Sequence, residues 1–344
     1  MIDRAGFLRR AGTGAGALTL AELLGPAAAF AGGGGDFPTH PRWRFVFVSH
    51  DTLNPLLVAT QFGAQDAAAL VQCTVRWTGS AKGDAKETAR ALRAAIVGKA
   101  DGIAVSIVEA GGFAAEVDAA RSARIPLVAF NVESGTGSRR LPYIGENPYV
   151  SGSRVGAEIA RLAPAGRVLL FAPREGRSWT ERRLDGVIAG LGRIAKAPAV
   201  TVVRIQGSSP RELEARVAAA LDHTTGVRGL FGVDGSGTLA VGSTIKRLGP
   251  KAKGLHGGGY DLLPGDLSLV ADGHLDFVVD QQPYVQGFTP VLQLFLARIS
   301  EGTVVPWDTE TSVLLRKADV KPFLDTKSRF EGSSSRHQYP LRRE

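Results

Sequence analysis

Six segments of this 344-residue chain carry more hydrogen-bonding side chains than turns alone require. They are Ser49-His50-Asp51-Thr52-Leu53-Asn54-Pro55, Asn131-Val132-Glu133-Ser134, the stretch from Arg174 to Arg183, Val233-Asp234, Tyr260-Asp261 and Asp280-Gln281-Gln282-Pro283-Tyr284. Carboxylate, amide and guanidinium groups can each engage two neighbouring hydroxyls, and every hydroxyl both donates and accepts. The mixture suits a neutral, polyhydroxylated small molecule, provided that the six segments converge. Taken singly, Asn54-Pro55 or Asp234 equally well makes a turn or caps a helix. Convergence therefore carries the functional reading.

Catalytic chemistry lacks its usual signatures. No G-x-G-x-x-G follows the first strand, Gly232-Val233-Asp234-Gly235-Ser236-Gly237 has another spacing and no Walker lysine, and G-x-S-x-G is absent. A carboxylate pair such as Glu181 and Asp234 would serve glycoside hydrolysis only at a suitable separation. The six histidines show no H-x-x-x-H spacing, and Cys73, the single cysteine, reads as core packing. The expectation is a non-enzyme without metal or cofactor. His50 either donates to a ligand hydroxyl or is satisfied at the first-strand turn. Trp179 either lines the cleft or shields the hinge.

The elements that must position these groups alternate. Residues 44–48 form a short β-branched and aromatic run, followed by a helical pattern to about Val71. Strands near 75–78, 102–106 and 127–130 alternate with helices over 84–98 and 111–123. The rhythm restarts with helix 151–162, strand 167–171, helix 181–194, strand 200–205, helix 210–222, strand 229–233 and helix 237–248, then strands near 254–259 and 277–279. This order predicts two α/β lobes of parallel strands, with ligands beyond the carboxyl ends of the strands.

Composition agrees: 44% hydrophobic and 22% charged residues exclude a disordered or polytopic membrane chain, and one cysteine excludes a disulfide framework. Of the net charge of +8, residues 326–344 supply +3 and residues 1–31 supply +1. No basic run interleaves with aromatics, so no nucleic-acid partner is expected. Arg4, Arg9 and Arg10 precede an apolar stretch from Ala15 to Phe30 that ends in Ala29-Phe30-Ala31, the pattern of an export signal cleaved near Ala31. A periplasmic protein with a flexible basic tail over 326–344 is expected.

The signal, the two lobes, Ser49 to Pro55, Ile125-Pro126-Leu127-Val128-Ala129-Phe130-Asn131, Arg183-Leu184-Asp185-Gly186 and Gln281-Gln282-Pro283-Tyr284 together resemble the type I, ribose-binding-like periplasmic sugar-binding proteins of ABC importers. The resemblance spans about 43–322. It implies two similar doubly wound parallel-sheet lobes joined by a three-strand hinge, the type I periplasmic binding protein fold. Lobe 1 would comprise 33–147 plus 283–304 and lobe 2 would comprise 148–282 plus 305–322, with passages near Asn147, Gln282 and Gly302 to Pro306. Ligand positions carried over by motif are His50, Asp51, Asn54, Asn131, Glu181, Arg183, Asp234, Asp261 and Gln281. Leu56-Leu57 stands where the family often has aromatics, and Trp179 would supply the missing stacking face. The implied function is capture of a sugar, polyol or similar polar ligand by a monomer that delivers it to an ABC permease. The alternative is a sugar-sensing receptor that presents occupancy to a membrane kinase or chemoreceptor.

Overall fold

Large apolar side chains alternate along residues 44–49, and the two faces of the strand they form enter different cores. The computed structural model describes residues 39–109, 112–133, 140–174, 178–325 and 327–336. The export-signal reading of 1–31 lies outside the described residues. By its contacts the chain divides into Met1–Pro41 and Arg42–Glu344, and the second unit holds every element named below.

In β1 (Arg44–Ser49), Phe45 and Phe47 pack with α1 (Leu57–Leu70) and α9 (Pro283–Ile299), while Val46 and Val48 join α2 (Ala85–Val97) and α3 (Ala114–Ser122). The two-residue side-chain period of a strand sorts them this way. The first sheet adds β2 (Thr74–Gly79), β3 (Gly102–Ile107), β4 (Leu127–Glu133), β5 (Tyr143–Gly145) and the two-residue β11 (Thr309–Glu310). Its order is β2-β1-β3-β4-β5-β11 with parallel pairing throughout.

The second lobe repeats the logic. In β6 (Arg167–Pro173), Val168 and Leu170 meet α4 (Pro148–Leu162) and α5 (Ser178–Gly192), while Leu169 and Phe171 meet α6 (Pro210–Asp222) and α7 (Gly235–Leu248). With β7 (Ala199–Ile205), β8 (Val227–Gly232), β9 (His256–Tyr260), β10 (Phe277–Asp280) and β12 (Val313–Arg316), the order is β7-β6-β8-β9-β10-β12. Here β12 runs antiparallel to β10 and the other pairs are parallel. The helices α8 (Pro264–Ala271) and α10 (Lys317–Asp325) complete the lobe. In each sheet the strand order reverses beside the first strand, which opens a crevice at the carboxyl ends.

The chain passes between lobes after β5, after β10 and between β11 and β12. The third passage corrects the expectation of Gly302 to Pro306. Thr309 and Glu310 pair with Ile144 and Gly145 in the first sheet, and Val313 already pairs with Asp280 in the second. Residues 305–310 therefore stay with lobe 1. A two-residue strand has no periodicity by which to be recognised.

The expected flexible tail is also corrected over 327–336. Ser328, Arg329 and Glu331 are buried, and Arg329 donates from Nε to Asp66 Oδ2 at 2.9 Å and from Nη2 to Asp66 Oδ1 at 2.8 Å. Its guanidinium lies 4.3 Å from the centre of the Phe62 ring, and Phe330 packs on Tyr284 with ring centres 4.5 Å apart. Since α10 packs on α8 of lobe 2, this segment returns the chain to the lobe 1 helices and makes a fourth link. Ending the chain at Asp325, or changing Arg329→Ala, should lower the melting temperature, the latter by loss of about 3 kcal/mol for a mostly buried ion pair. Unchanged melting in both would contradict the docking.

Candidate functional site

The carboxyl ends of both sheets open onto a cavity of about 690 Å³, within the range of small-molecule sites. Lobe 1 contributes His50, Asn54, Leu56 and Asn131, and lobe 2 contributes Trp179, Arg182, Asp234 and Asp261. Glu146 and Gln281 line it from the passages.

On the lobe 1 side, Asn54 accepts the Leu56 N–H at 3.0 Å in the turn before α1. His50 Nδ1 lies 2.8 Å from Ser106 Oγ, so the imidazole is satisfied at the turn and also faces the cavity. Across the mouth it meets Trp179 edge to face, with ring centres 6.2 Å apart. Asn131 has a left-handed backbone (φ 60°), and its Nδ2 donates to Gln286 Oε1 at 3.0 Å. Gln286 in turn donates to the Gln281 carbonyl at 2.8 Å and to Thr311 Oγ1 at 3.2 Å, and Thr311 donates to the same carbonyl at 2.7 Å. The end of β4 and the second and third passages thus share one buried network.

On the lobe 2 side, Asp234 caps α7 by accepting the Gly237 N–H at 2.7 Å. Asp261, also left-handed (φ 75°), accepts from Gly235 N–H at 3.1 Å and from the Gln281 amide. Gln282 (φ 52°) is left-handed as well, its N–H held by Asp280 at 2.7 Å. Such residues cost on the order of 1 kcal/mol each and persist only where their surroundings hold them. Burial pushes the Asp234 and Asp261 carboxyls up, and the Arg183 charge opposes it. Burial also raises Asp280 to about 7 and Asp266 to about 8, with Asp261 adding to both shifts. Neither carboxyl oxygen of Asp266 has a close hydrogen-bond partner, and the Leu263 N–H only partly offsets the effect of burial.

Arg183, only 3% exposed, donates from Nε to Glu146 Oε1 at 3.0 Å, from Nη2 to Glu146 Oε2, and from Nη1 to the Val233 carbonyl at 2.9 Å. Close backbone packing of α4 on α5 brings these partners together. A Cβ on Gly186 would lie 2.3 Å from the Tyr149 carbonyl oxygen, and one on Gly152 would lie 2.3 Å from that of Arg183.

Of the ten expected positions, eight line the cavity: His50, Asn54, Asn131, Trp179, Arg183, Asp234, Asp261 and Gln281. Asp51 and Glu181 do not. Asp51 accepts the Leu53 N–H at 3.1 Å in its own turn, and Glu181 pairs with Arg204, with Nη2 to Oε2 at 2.7 Å. Helix α5 starts at Ser178, so Glu181 and Arg183, two residues apart, leave on opposed faces. Glu146, Arg140, Tyr143 and Arg182 line the cavity without having been singled out in the sequence. Glu146 has no local signal, because its partner Arg183 lies 37 residues away. Among the described residues, no cluster of His, Cys, Asp and Glu could hold a metal ion.

Residues 45–298 match the profile of a family described as Periplasmic binding protein domain. The xylose/arabinose-binding protein XylF of Sulfolobus acidocaldarius is 35% identical over 319 residues, covering 88% of this chain and 78% of that protein. A sugar-binding protein of a sugar ABC transporter from Bacillus halodurans superposes with a TM-score of 0.72 at 20% identity, over 81% of this chain and 99% of that one. An ABC transporter solute-binding protein from Burkholderia graminis, solved with D-arabinose, gives 0.72 at 21% identity, over 83% and 99%. At these identities the two structures speak for the fold.

Asp266 sets a pH dependence of stability. Burial holds its carboxyl at about 8 in the folded protein, above the ordinary 3.8, so the folded protein binds the proton more tightly than the unfolded chain. Stability should therefore fall as pH rises from about 4 to about 8 and level off above. Asp266→Asn should flatten that decline in melting scans; an identical decline would contradict the assignment.

Proposed function

Because the chain belongs to the periplasmic binding protein family, we propose that it is an extracytoplasmic, non-catalytic solute-binding protein that captures a sugar or similar small polyol between its lobes and delivers it to an ABC permease. The observation that carries this reading is the cavity at the strand ends, to which both lobes contribute planar hydrogen-bonding groups. Asn54 and Asn131 would meet the ligand from lobe 1, Asp234 and Asp261 from lobe 2, and Gln281 from the second passage. Trp179 would cover an apolar face of the ring. A ligand that touches both halves gains contacts available only when the lobes are together, so its binding favours the closed state. A permease that recognises that state would receive loaded protein. Among the described residues, no helix is long and apolar enough to cross a membrane.

The relative that binds xylose or arabinose by its name makes pentoses the first ligands to try. In a thermal-shift screen of pentoses, hexoses, polyols and sugar acids, at least one should raise the melting temperature, since a ligand bound only by the native state stabilises it. Calorimetry with that ligand should show Asp234→Asn, which still caps the helix, binding roughly tenfold more weakly through loss of a charged acceptor. No shift across the panel, or full affinity in the variant, would overturn the reading.

A further inference from the structure

Arg183 lines the cavity, and each of its three side-chain nitrogens donates inside the protein. Glu146 takes Nε and Nη2, and the Val233 carbonyl takes Nη1. The guanidinium carbon lies 4.1 Å from the centre of the Tyr260 ring. Val233 and Tyr260 immediately precede Asp234 and Asp261, so one cation grips the residue before each cavity carboxylate. Its own place is fixed by Glu146, at the first passage, which also accepts from Ser151 Oγ.

We propose that Arg183 acts as a positioning residue: locked to Glu146, it fixes the ends of β8 and β9 and sets a positive charge beside Asp234 and Asp261, so that both carboxylates serve as acceptors for ligand hydroxyls. The proposal rests on the sugar-binding reading of the same cavity. Asp234 faces the Gly237 N–H and the Arg183 charge, and Asp261 faces Arg183, Asp234, the Gln281 amide and the Gly235 N–H. Asp266 on α8 and Asp280 at the end of β10 feel the Asp261 charge, Asp280 also that of Glu331, and the Tyr260 hydroxyl meets Ser151. His50 faces the cavity from lobe 1. Burial favours the protonated form of both cavity carboxyls, and Arg183 opposes it. Without that cation they take up a proton at higher pH and lose acceptor capacity.

The test compares the full chain with Arg183→Lys, which keeps the charge, and with the neutral pair Glu146→Gln/Arg183→Gln, which removes both charges of the ion pair so that neither partner is left buried alone. Glu146→Leu/Arg183→Met provides an apolar neutral pair should the amide pair not fold. Carboxyl carbon NMR titration of Asp234 and Asp261 without sugar reads the effect directly, and calorimetry with D-xylose and L-arabinose from about pH 4 to pH 8 reads it through binding. In a neutral pair both carboxyls, and the acid limb of the affinity profile, should move up by about one pH unit or more. Arg183→Lys should keep the wild-type limb while weakening affinity at every pH. Unmoved carboxyl titrations in a folded neutral pair, or an equal shift in the lysine variant, would overturn the proposal. Failure of the wild type to bind any sugar, with the titrations shifted as expected, would count against the sugar-binding reading alone.

Discussion

The buried ion pair between Glu146 and Arg183 is the contact on which the cleft floor depends. Two charges removed from water are stabilising only when geometry and further hydrogen bonds compensate for desolvation, and this pair has both, with Ser151 and the Val233 carbonyl completing it. A generic apolar pair would not tie the first passage to the ends of β8 and β9. The glycine contacts of α4 with α5 set the distance at which the pair forms.

The rest of the site follows from how the passages are tied. Gln286 and Thr311 join Asn131 to the second and third passages, while left-handed residues at Asn131, Asp261 and Gln282 turn the chain sharply where it leaves the strands. The segment from Ser328 to Phe330 fastens the end of the chain to the helices of lobe 1. Lobe motion is thus constrained at four places along the chain, while the cavity mouth is bridged by the His50 and Trp179 rings.

Much of the scaffold was legible because its signals are local. The alternation of Phe45, Val46, Phe47 and Val48 announces a strand buried on both faces, and the polar residues after β1, β4, β8, β9 and β10 mark the cleft before any contact is known. What was hidden depends on distant partners or on phase. Glu181 and Arg183 looked equivalent until the start of α5 at Ser178 set them on opposed faces. Arg329 counted as one charge of a basic tail, yet its partner Asp66 lies 263 residues earlier. Helix α9 continues through Pro290, a residue that usually breaks helices, and β11 is too short to show a period.

Capture between lobes is the central claim, and small-angle scattering in solution tests it most directly. The protein is measured alone and with a saturating sugar that raises its melting temperature. The radius of gyration should fall on addition of the sugar, and the Asp234→Asn variant should require more sugar for the same fall. A radius unchanged at saturation, with binding verified by calorimetry, would contradict capture by lobe closure.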